Sequence, residues 1–279
     1  MKKWNMIIDV DRCMDCNDCF LADKDEFVGN DFLPYSVGQP WHGHRWMNIM
    51  RKERGQYPLV QVAYRPTPCL HCDDAPCIKD SPEGTIYKRD DGLVIIDPAK
   101  AKGHPEIVKT CPYDVIYWND EAQVAQKCTG CAHLLDEGWK DTRCSQICPA
   151  EAIKLVRADD AEMAALVASE GLEVLKPELG AKPRVYYKNL HLWSKAFVAG
   201  SVVFGDTDEC AEGAKATVSQ GGRKVGEAMA SNYGDFYVDF LDPVGEYTLT
   251  VEAAGYATVT KNIKLDQSLN VGTVVLARN

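Results

Sequence analysis

A chain of 279 residues is long enough to bury a sizeable core and to divide into two domains. Its 31 Lys and Arg against 41 Asp and Glu leave a formal net charge of -10, which argues against a nucleic-acid footprint and against attraction to an anionic membrane surface. The 12 cysteines sit in CxxC-type groups rather than scattered through a short secreted chain, so they read as metal ligands and not as a disulfide framework. Nothing after Met1 has the pattern of a signal peptide, and no apolar run reaches the length of a bilayer span. The expected compartment is therefore the reducing cytoplasm, with a protein or small-molecule partner.

Asn5 to Val10 predicts a short strand that delivers the backbone into the first cysteine loop. That loop, Cys13-Met14-Asp15-Cys16-Asn17-Asp18-Cys19, runs on through Phe20, Leu21 and Ala22 to Asp23. Bacterial ferredoxin loops read C-x2-C-x2-C-x3-C-P, with three thiolates on one cubane and the fourth reaching a neighbouring cluster. Here the first three are present and Asp23 stands at the fourth position. Lys24 to Pro68 is a long insertion rich in Gly, Pro and aromatic residues, among them Trp41, His42, His44, Trp46 and Tyr57. It reads as surface packing, with a cover for a cluster or a partner face as the alternatives.

Cys69, Cys72 and Cys77 form a second group, C-x2-C-x4-C, again three thiolates on one loop, and Ser81 before Pro82 holds the position where a fourth would follow. Thr85 to Tyr87 and Leu93 to Ile96 predict a hairpin around Asp90-Asp91-Gly92. Cys111-Pro112 has the form of a fourth ligand closing a cluster built elsewhere. A second hairpin is expected from Val115 to Trp118 and Ala122 to Ala125 around Asn119-Asp120, and the last group, Cys128, Cys131, Cys144 and Cys148-Pro149, is the complete four-cysteine set. C-x2-C pairs also serve structural zinc. Three thiolates on one loop and the repeated Cys-Pro weigh toward clusters.

The segments Pro68 to Cys77, Thr110-Cys111-Pro112-Tyr113 and Pro183-Arg184-Val185-Tyr186-Tyr187 resemble the iron–sulfur subunits that partner molybdopterin oxidoreductases of the dimethyl sulfoxide reductase family, over roughly residues 1–190. That resemblance implies two ferredoxin-like halves, each loop giving three ligands to its own cluster and its Cys-Pro position to a neighbour. Members of the family usually carry one cluster more than can be built here. Counting back from Cys111 puts the absent ligands at Ala101, His104 and Ile107, with Ser81 as the fourth, so a whole site lacks cysteine. The remaining ligands then assort into three [4Fe–4S] clusters. Cluster 1 takes Cys13, Cys16, Cys19 and Cys148; cluster 2 takes Cys128, Cys131, Cys144 and Asp23; cluster 3 takes Cys69, Cys72, Cys77 and Cys111. Cys210 is left over. A carboxylate is a harder partner for iron than thiolate, so Asp23 either holds the fourth iron or stands beside a three-iron cluster; its place at the ligand position favours ligation.

His42, His44, His71, His104, His133 and His191 are expected at the surface or behind the ligands. His71 lies inside a cluster loop, where an N–H donor to sulfur would tune a potential. No Ser, His and acid set and no Gly-rich strand-to-helix loop occurs, so no active site is expected within this chain.

From Asp159 the composition changes. Asp160 to Leu175 predicts an amphipathic helix carrying Met163, Leu166, Val167 and Leu172, and Pro177 to Trp193 a linker. Beyond it, seven short runs alternate apolar and polar residues: Phe197 to Phe204, Ala216 to Ser219, Val225 to Ala228, Phe236 to Phe240, Tyr247 to Ala253, Ala257 to Leu265 and Val271 to Leu276. They predict an immunoglobulin-like sandwich. Asn232 to Phe236, Gly245 to Leu249 and Gly255-Tyr256 resemble the carboxypeptidase-regulatory-like sandwiches, which bind or pack rather than catalyse.

The expected class is α+β: a ferredoxin-like multi-cluster domain over 1–158, a helix and linker over 159–195, and an all-β sandwich over 196–279. An iron–sulfur subunit with such a sandwich appended is similar to the hydroxyl-transferring branch of the molybdopterin family. The resemblance implies a heterodimer with a large catalytic subunit, which binds molybdenum through molybdopterin guanine dinucleotide and moves a hydroxyl between aromatic polyphenols. The alternatives are an electron-transfer subunit of another molybdenum reductase or dehydrogenase, and a zinc- or disulfide-stabilised binding protein using the sandwich as an adhesion module.

Overall fold

The structure, a computed structural model, describes residues 1–279. Its contacts divide the chain into a first unit of Met1–Arg51 with Tyr64–Leu190 and a second of Lys52–Ala63 with His191–Asn279. In chain order β1 (Lys3–Asp9) and α1 (Asp18–Phe27) precede the paired strands β2 (Asn48–Gln56) and β3 (Leu59–Thr67), whose joined ends belong to the second unit. There follow α2 (Pro76–Lys79), β4 (Ile86–Lys88), β5 (Val94–Ile96), β6 (Tyr117–Asn119), β7 (Val124–Gln126), α3 (Ala132–Asp136), α4 (Arg143–Gln146), β8 (Ile153–Ala158), α5 (Asp160–Glu170) and β9 (Val185–Lys188). The second unit adds α6 (His191–Ser194) and β10 (Ala196–Phe204) to β16 (Leu269–Leu276).

In the first unit β1 is the centre of a sheet ordered β8-β1-β9, antiparallel to β8 and parallel to β9. Trp4, Met6, Ile7 and Ile8 are all buried, as a strand covered on both faces requires. One face packs Trp4 against Leu93, Ile95, Ala132 and Leu135; the other packs Ile7 against Met163 and Leu172. α5 starts at a capping box in which Asp159 accepts from the Glu162 N–H and Glu162 returns the bond to the Asp159 N–H.

Three expectations are corrected in detail. The helix expected to run to Leu175 ends at Glu170, because Gly171 turns left-handed (φ 62) and the N–H groups of Gly171 and Leu172 both reach back to the Val167 carbonyl. The second hairpin turns later than Asn119-Asp120, because the Asn119 side-chain carbonyl accepts the Glu121 and Ala122 N–H groups at 3.0 Å and holds a longer turn. The insertion after Lys24 is not only surface: Trp46 is fully buried against Phe27, ring centroids 4.9 Å apart, while Trp41 stays 79% exposed.

The second unit is a sandwich of two sheets, β13 (Asp235–Leu241) with β10 and β16, and β12 (Arg223–Met229), β11 (Lys215–Gln220), β14 (Gly245–Glu252) and β15 (Val259–Leu265) in that order. Its seven strands coincide with the seven alternating runs. Inward Val198, Val202, Val218, Phe236, Leu249 and Leu276 make one core. The Tyr247 hydroxyl donates to the Asp242 carbonyl at 2.8 Å, a corner device of such sandwiches.

Candidate iron–sulfur centres

α1 carries Cys19, Asp23 and Phe27 on its buried face, one helical turn apart, so the residue in the fourth-ligand position enters the interior one turn after the third cysteine. Cys13, Cys16, Cys19 and Cys148 share one neighbourhood, in which the charges of the others add to what burial does to Cys13 and Cys19. Cys69, Cys72, Cys77 and Cys111 line a single pocket with Val94, Ile116 and Lys127. Cys128, Cys131 and Cys144 lie around Asp23; burial pushes all three thiols up, and the negative charge of Asp23 pushes the same way. The groupings lie next to one another, since the electrostatic neighbours of Cys128 include Cys69 and those of Cys144 include Cys19; Cys16 and Cys210 are the exposed cysteines.

Burial dominates the chemistry of these groups. It pushes the Cys19, Cys77 and Cys144 thiols up to about 12, those of Cys72 and Cys128 higher still, the Cys131 thiol well above its usual range, and the Asp23 carboxyl up to about 7 against the pull of its Gln39 hydrogen bond. Buried sulfurs take the thiolate form only with compensating positive charge at hand, which an iron–sulfur core supplies.

A backbone device recurs in all three loops. Two residues after the first cysteine stand Asp15 (φ 57), His71 (φ 44) and Gly130 (φ 67), each left-handed. The His71 N–H reaches Cys69 Sγ at 3.5 Å, the Gly130 N–H reaches Cys128 Sγ at 3.4 Å, and the Asp15 N–H pulls Cys13 down. A left-handed residue curls the chain so that its amide faces the preceding sulfur, and such N–H donors stabilise thiolate charge. Only Gly130 advertises this conformation in the sequence; at Asp15 and His71 it was not legible.

His71, His44 and His133 are buried, and His44 Nε2 meets the Trp118 carbonyl at 2.9 Å. His71 Nδ1 accepts the Val94 N–H at 2.9 Å, which leaves the proton of the neutral ring on Nε2, a buried atom with no partner in the protein. Gly130 makes room for it: a Cβ there would lie 3.2 Å from His71 Nε2. His133 Nε2 meets Glu26 Oε1 at 2.8 Å, and Arg143 Nε donates to Glu26 Oε2 at 2.6 Å, tying α1 to α3 and α4.

Sequence reasoning passed over the bracing of the Cys69 loop. Asp73 accepts Lys88 Nζ at 2.8 Å and a two-pronged bond from Arg184, whose own N–H donates to the Leu70 carbonyl at 2.8 Å. Two segments that carry the family resemblance, 69–77 and 183–187, therefore meet through one ion pair. At the vacated positions Ala101 and Ile107 are fully buried apolar side chains, the Ser81 hydroxyl is buried without a partner, and His104 pairs with Glu106 at 2.7 Å.

Cysteine sets on ferredoxin-type loops, two of them buried, define the class: this chain is an iron–sulfur electron-transfer subunit with an appended β-sandwich. A family model described as a 4Fe-4S dicluster domain matches residues 60–158, and one described as a carboxypeptidase regulatory-like domain matches residues 198–277. The chain is 48% identical over 280 residues to the pyrogallol hydroxytransferase small subunit of Pelobacter acidigallici, covering 99% of this chain and 100% of that one, and it belongs to that small-subunit family. It is also similar to the iron-sulfur subunit of the arsenate respiratory reductase of a Shewanella species (29% identity, 65% of this chain and 94% of that one). A putative dimethyl sulfoxide reductase iron-sulfur subunit from Halobacterium salinarum is 31% identical over 68% of this chain and 80% of its own length.

Proposed function

We propose that this chain holds three [4Fe–4S] clusters, ligated as grouped above with Asp23 as the carboxylate ligand of cluster 2. It is the non-catalytic small subunit of a cytoplasmic heterodimer whose large subunit carries molybdenum on molybdopterin guanine dinucleotide and converts pyrogallol to phloroglucinol. The observation that carries this reading is the 48% identity running end to end through both the cysteine-rich unit and the sandwich. No helix is long and apolar enough to cross a membrane.

When bound, the clusters supply one-electron carriers. This chain's residues fix and insulate them: the left-handed loop amides aim N–H groups at sulfur, Phe27, Trp46 and Ile116 exclude water, and Arg184 braces the Cys69 loop. Hydroxyl transfer between polyphenols has no net redox change, so clusters held by these residues would serve to poise or prime the molybdenum rather than to export electrons at each turnover. Apolar side chains where a further cluster would sit fit a wire that no longer leads outward.

Co-purification with the large subunit followed by metal analysis tests the reading. Three cubanes give about twelve irons per chain together with one molybdenum on the partner. About eight irons, or a stably docked electron-carrier subunit, defeats it. A membrane-anchor or quinol-oxidising subunit encoded beside the gene would favour the second reading, a reductase or dehydrogenase subunit like the arsenate and dimethyl sulfoxide relatives; those relatives match about two thirds of the chain rather than all of it.

A further inference from the structure

Asp23 is a carboxylate in a site otherwise made of thiolates, and it is 6% exposed with no basic side chain bonded to it; Lys24, the positive charge that acts on it, spends its ammonium on the Pro40 carbonyl at 2.9 Å. What it does have is Gln39. The Gln39 Nε2 donates to Asp23 Oδ2 at 3.1 Å, and Gln39 is itself 3% exposed.

Gln39 is held where it is by the helix that carries Asp23. Its N–H donates to the Phe27 carbonyl at 2.7 Å, and its carbonyl accepts the Gly29 N–H. The preceding residues are pinned from the other side, where Gln126 Nε2 donates to the Val37 carbonyl at 2.7 Å and Asn119 Nδ2 to the Gly38 carbonyl at 3.1 Å. The amide therefore closes a ring from the end of α1 back to its own fourth-ligand position.

The cost of this arrangement points to its purpose. Gln39 Oε1 is buried without any hydrogen-bond partner, and an orphaned buried carbonyl is unfavourable unless the N–H end of the same amide is needed where it sits. A thiolate requires no such help, being monatomic and soft. A carboxylate has two oxygens and can rotate, bind through either or both, or leave.

We propose that Gln39 is the positioning residue of the Asp23 ligand: its N–H occupies Oδ2, so that the carboxylate presents its other oxygen to the fourth iron and stays attached to it. The proposal rests on the reading of Asp23 as a ligand. It assigns to Gln39 a specific function, retention of one iron in one cluster, that leaves clusters 1 and 3 untouched.

The test uses the two-subunit complex, mild oxidation with ferricyanide, and electron paramagnetic resonance to follow the three-iron signal. The step is [4Fe–4S]2+ giving [3Fe–4S]+, Fe2+ and one electron, which ferricyanide accepts. Gln39→Leu removes the donor and is expected to speed appearance of the three-iron signal about tenfold or more, as loss of a hydrogen bond to a charged group predicts. In an Asp23→Cys background, where sulfur replaces the carboxylate, Gln39→Leu is expected to change nothing.

Asp23→Ala run in parallel separates the two ideas. If it leaves iron content and spectra unchanged, the ligand reading falls and the Gln39 proposal with it. If Asp23→Ala labilises the iron while Gln39→Leu does not, Asp23 is a ligand and Gln39 does not position it. If Gln39→Leu labilises the Asp23→Cys protein equally, its effect is on general packing, and the proposal is overturned.

Discussion

Removal of the Asp73 carboxylate is the sharpest probe of how the Cys69 loop is held. Arg184, its side chain 5% exposed, donates Nε to Asp73 Oδ1 at 3.0 Å and Nη2 to Oδ2, and also bonds Asn5 Oδ1 at 3.2 Å and Asp160 Oδ1 at 2.5 Å. Lys88 reaches Asp73 at 2.8 Å and also donates to the His71 and Cys72 carbonyls. Breaking a buried pair from one side costs about 3–5 kcal/mol. Asp73 is 23% exposed and Arg184 keeps two other partners, so about 2–3 kcal/mol is the reasonable figure here. In a unit of this size that lowers the melting temperature by about 4–12 °C.

Asp73→Asn, Arg184→Met and the double variant, melted in the complex with visible absorbance reporting the clusters, form the required cycle. Single variants that melt within about 1 °C of the parent, or a double variant additive to within about 0.5 kcal/mol, would refute the bracing argument. The pH dependence has a definite sign. Burial works to raise the Asp73 carboxyl, but the bonds and charges of Arg184 and Lys88 outweigh it and hold it well below the usual carboxylate range. The stabilisation is therefore fully present above that range and is lost as pH falls through and below it, and Asp73→Asn should flatten this acid limb.

Three further outcomes follow from the same geometry. His71→Leu, which deletes the buried Nε2–H beside Gly130, should lower the midpoint potential of one cluster by about 60 mV or more in a redox titration; unchanged potentials would mean that this proton meets no sulfur. Gly130→Ala forces a Cβ into a backbone at φ 67 and toward the His71 ring, so it should cost about 1–3 kcal/mol and reduce iron retention, read by iron content after gel filtration. Leu249→Ala opens a cavity at a fully buried position of the sandwich core and should cost about 2–5 kcal/mol in that unit's unfolding while iron content stays at the parent value; loss of iron would show that cluster binding depends on the sandwich.

Local pattern was enough for much of this protein. Alternating runs between Ala216 and Leu265, flanked by the more continuously apolar Phe197 to Phe204 and by Val271 to Leu276, specify seven strands, because side chains on a strand alternate faces and one buried face resists any other register. The cysteine spacings likewise specify three-thiolate loops, since a short loop can place only so many sulfurs around one cubane. Even the end of α5 was written in Gly171, although the apolar spacing of Leu172 and Leu175 drew the expected helix past it.

Tertiary structure decided what lies between these patterns. Arg184 meets Asp73 across 111 positions, and Gln39 meets Asp23 across 16, because β9 lies beside β1 and the chain after α1 folds back on the helix end. Neither pairing has a periodicity to betray it. The left-handed turns at Asp15 and His71 are similarly silent, since non-glycine residues adopt that conformation only when the surrounding fold makes up its cost. Which residues are candidates to bind iron was therefore legible in the order of the amino acids, while the hydrogen bonds and charges around them come from long-range contacts that exist only once the chain has packed.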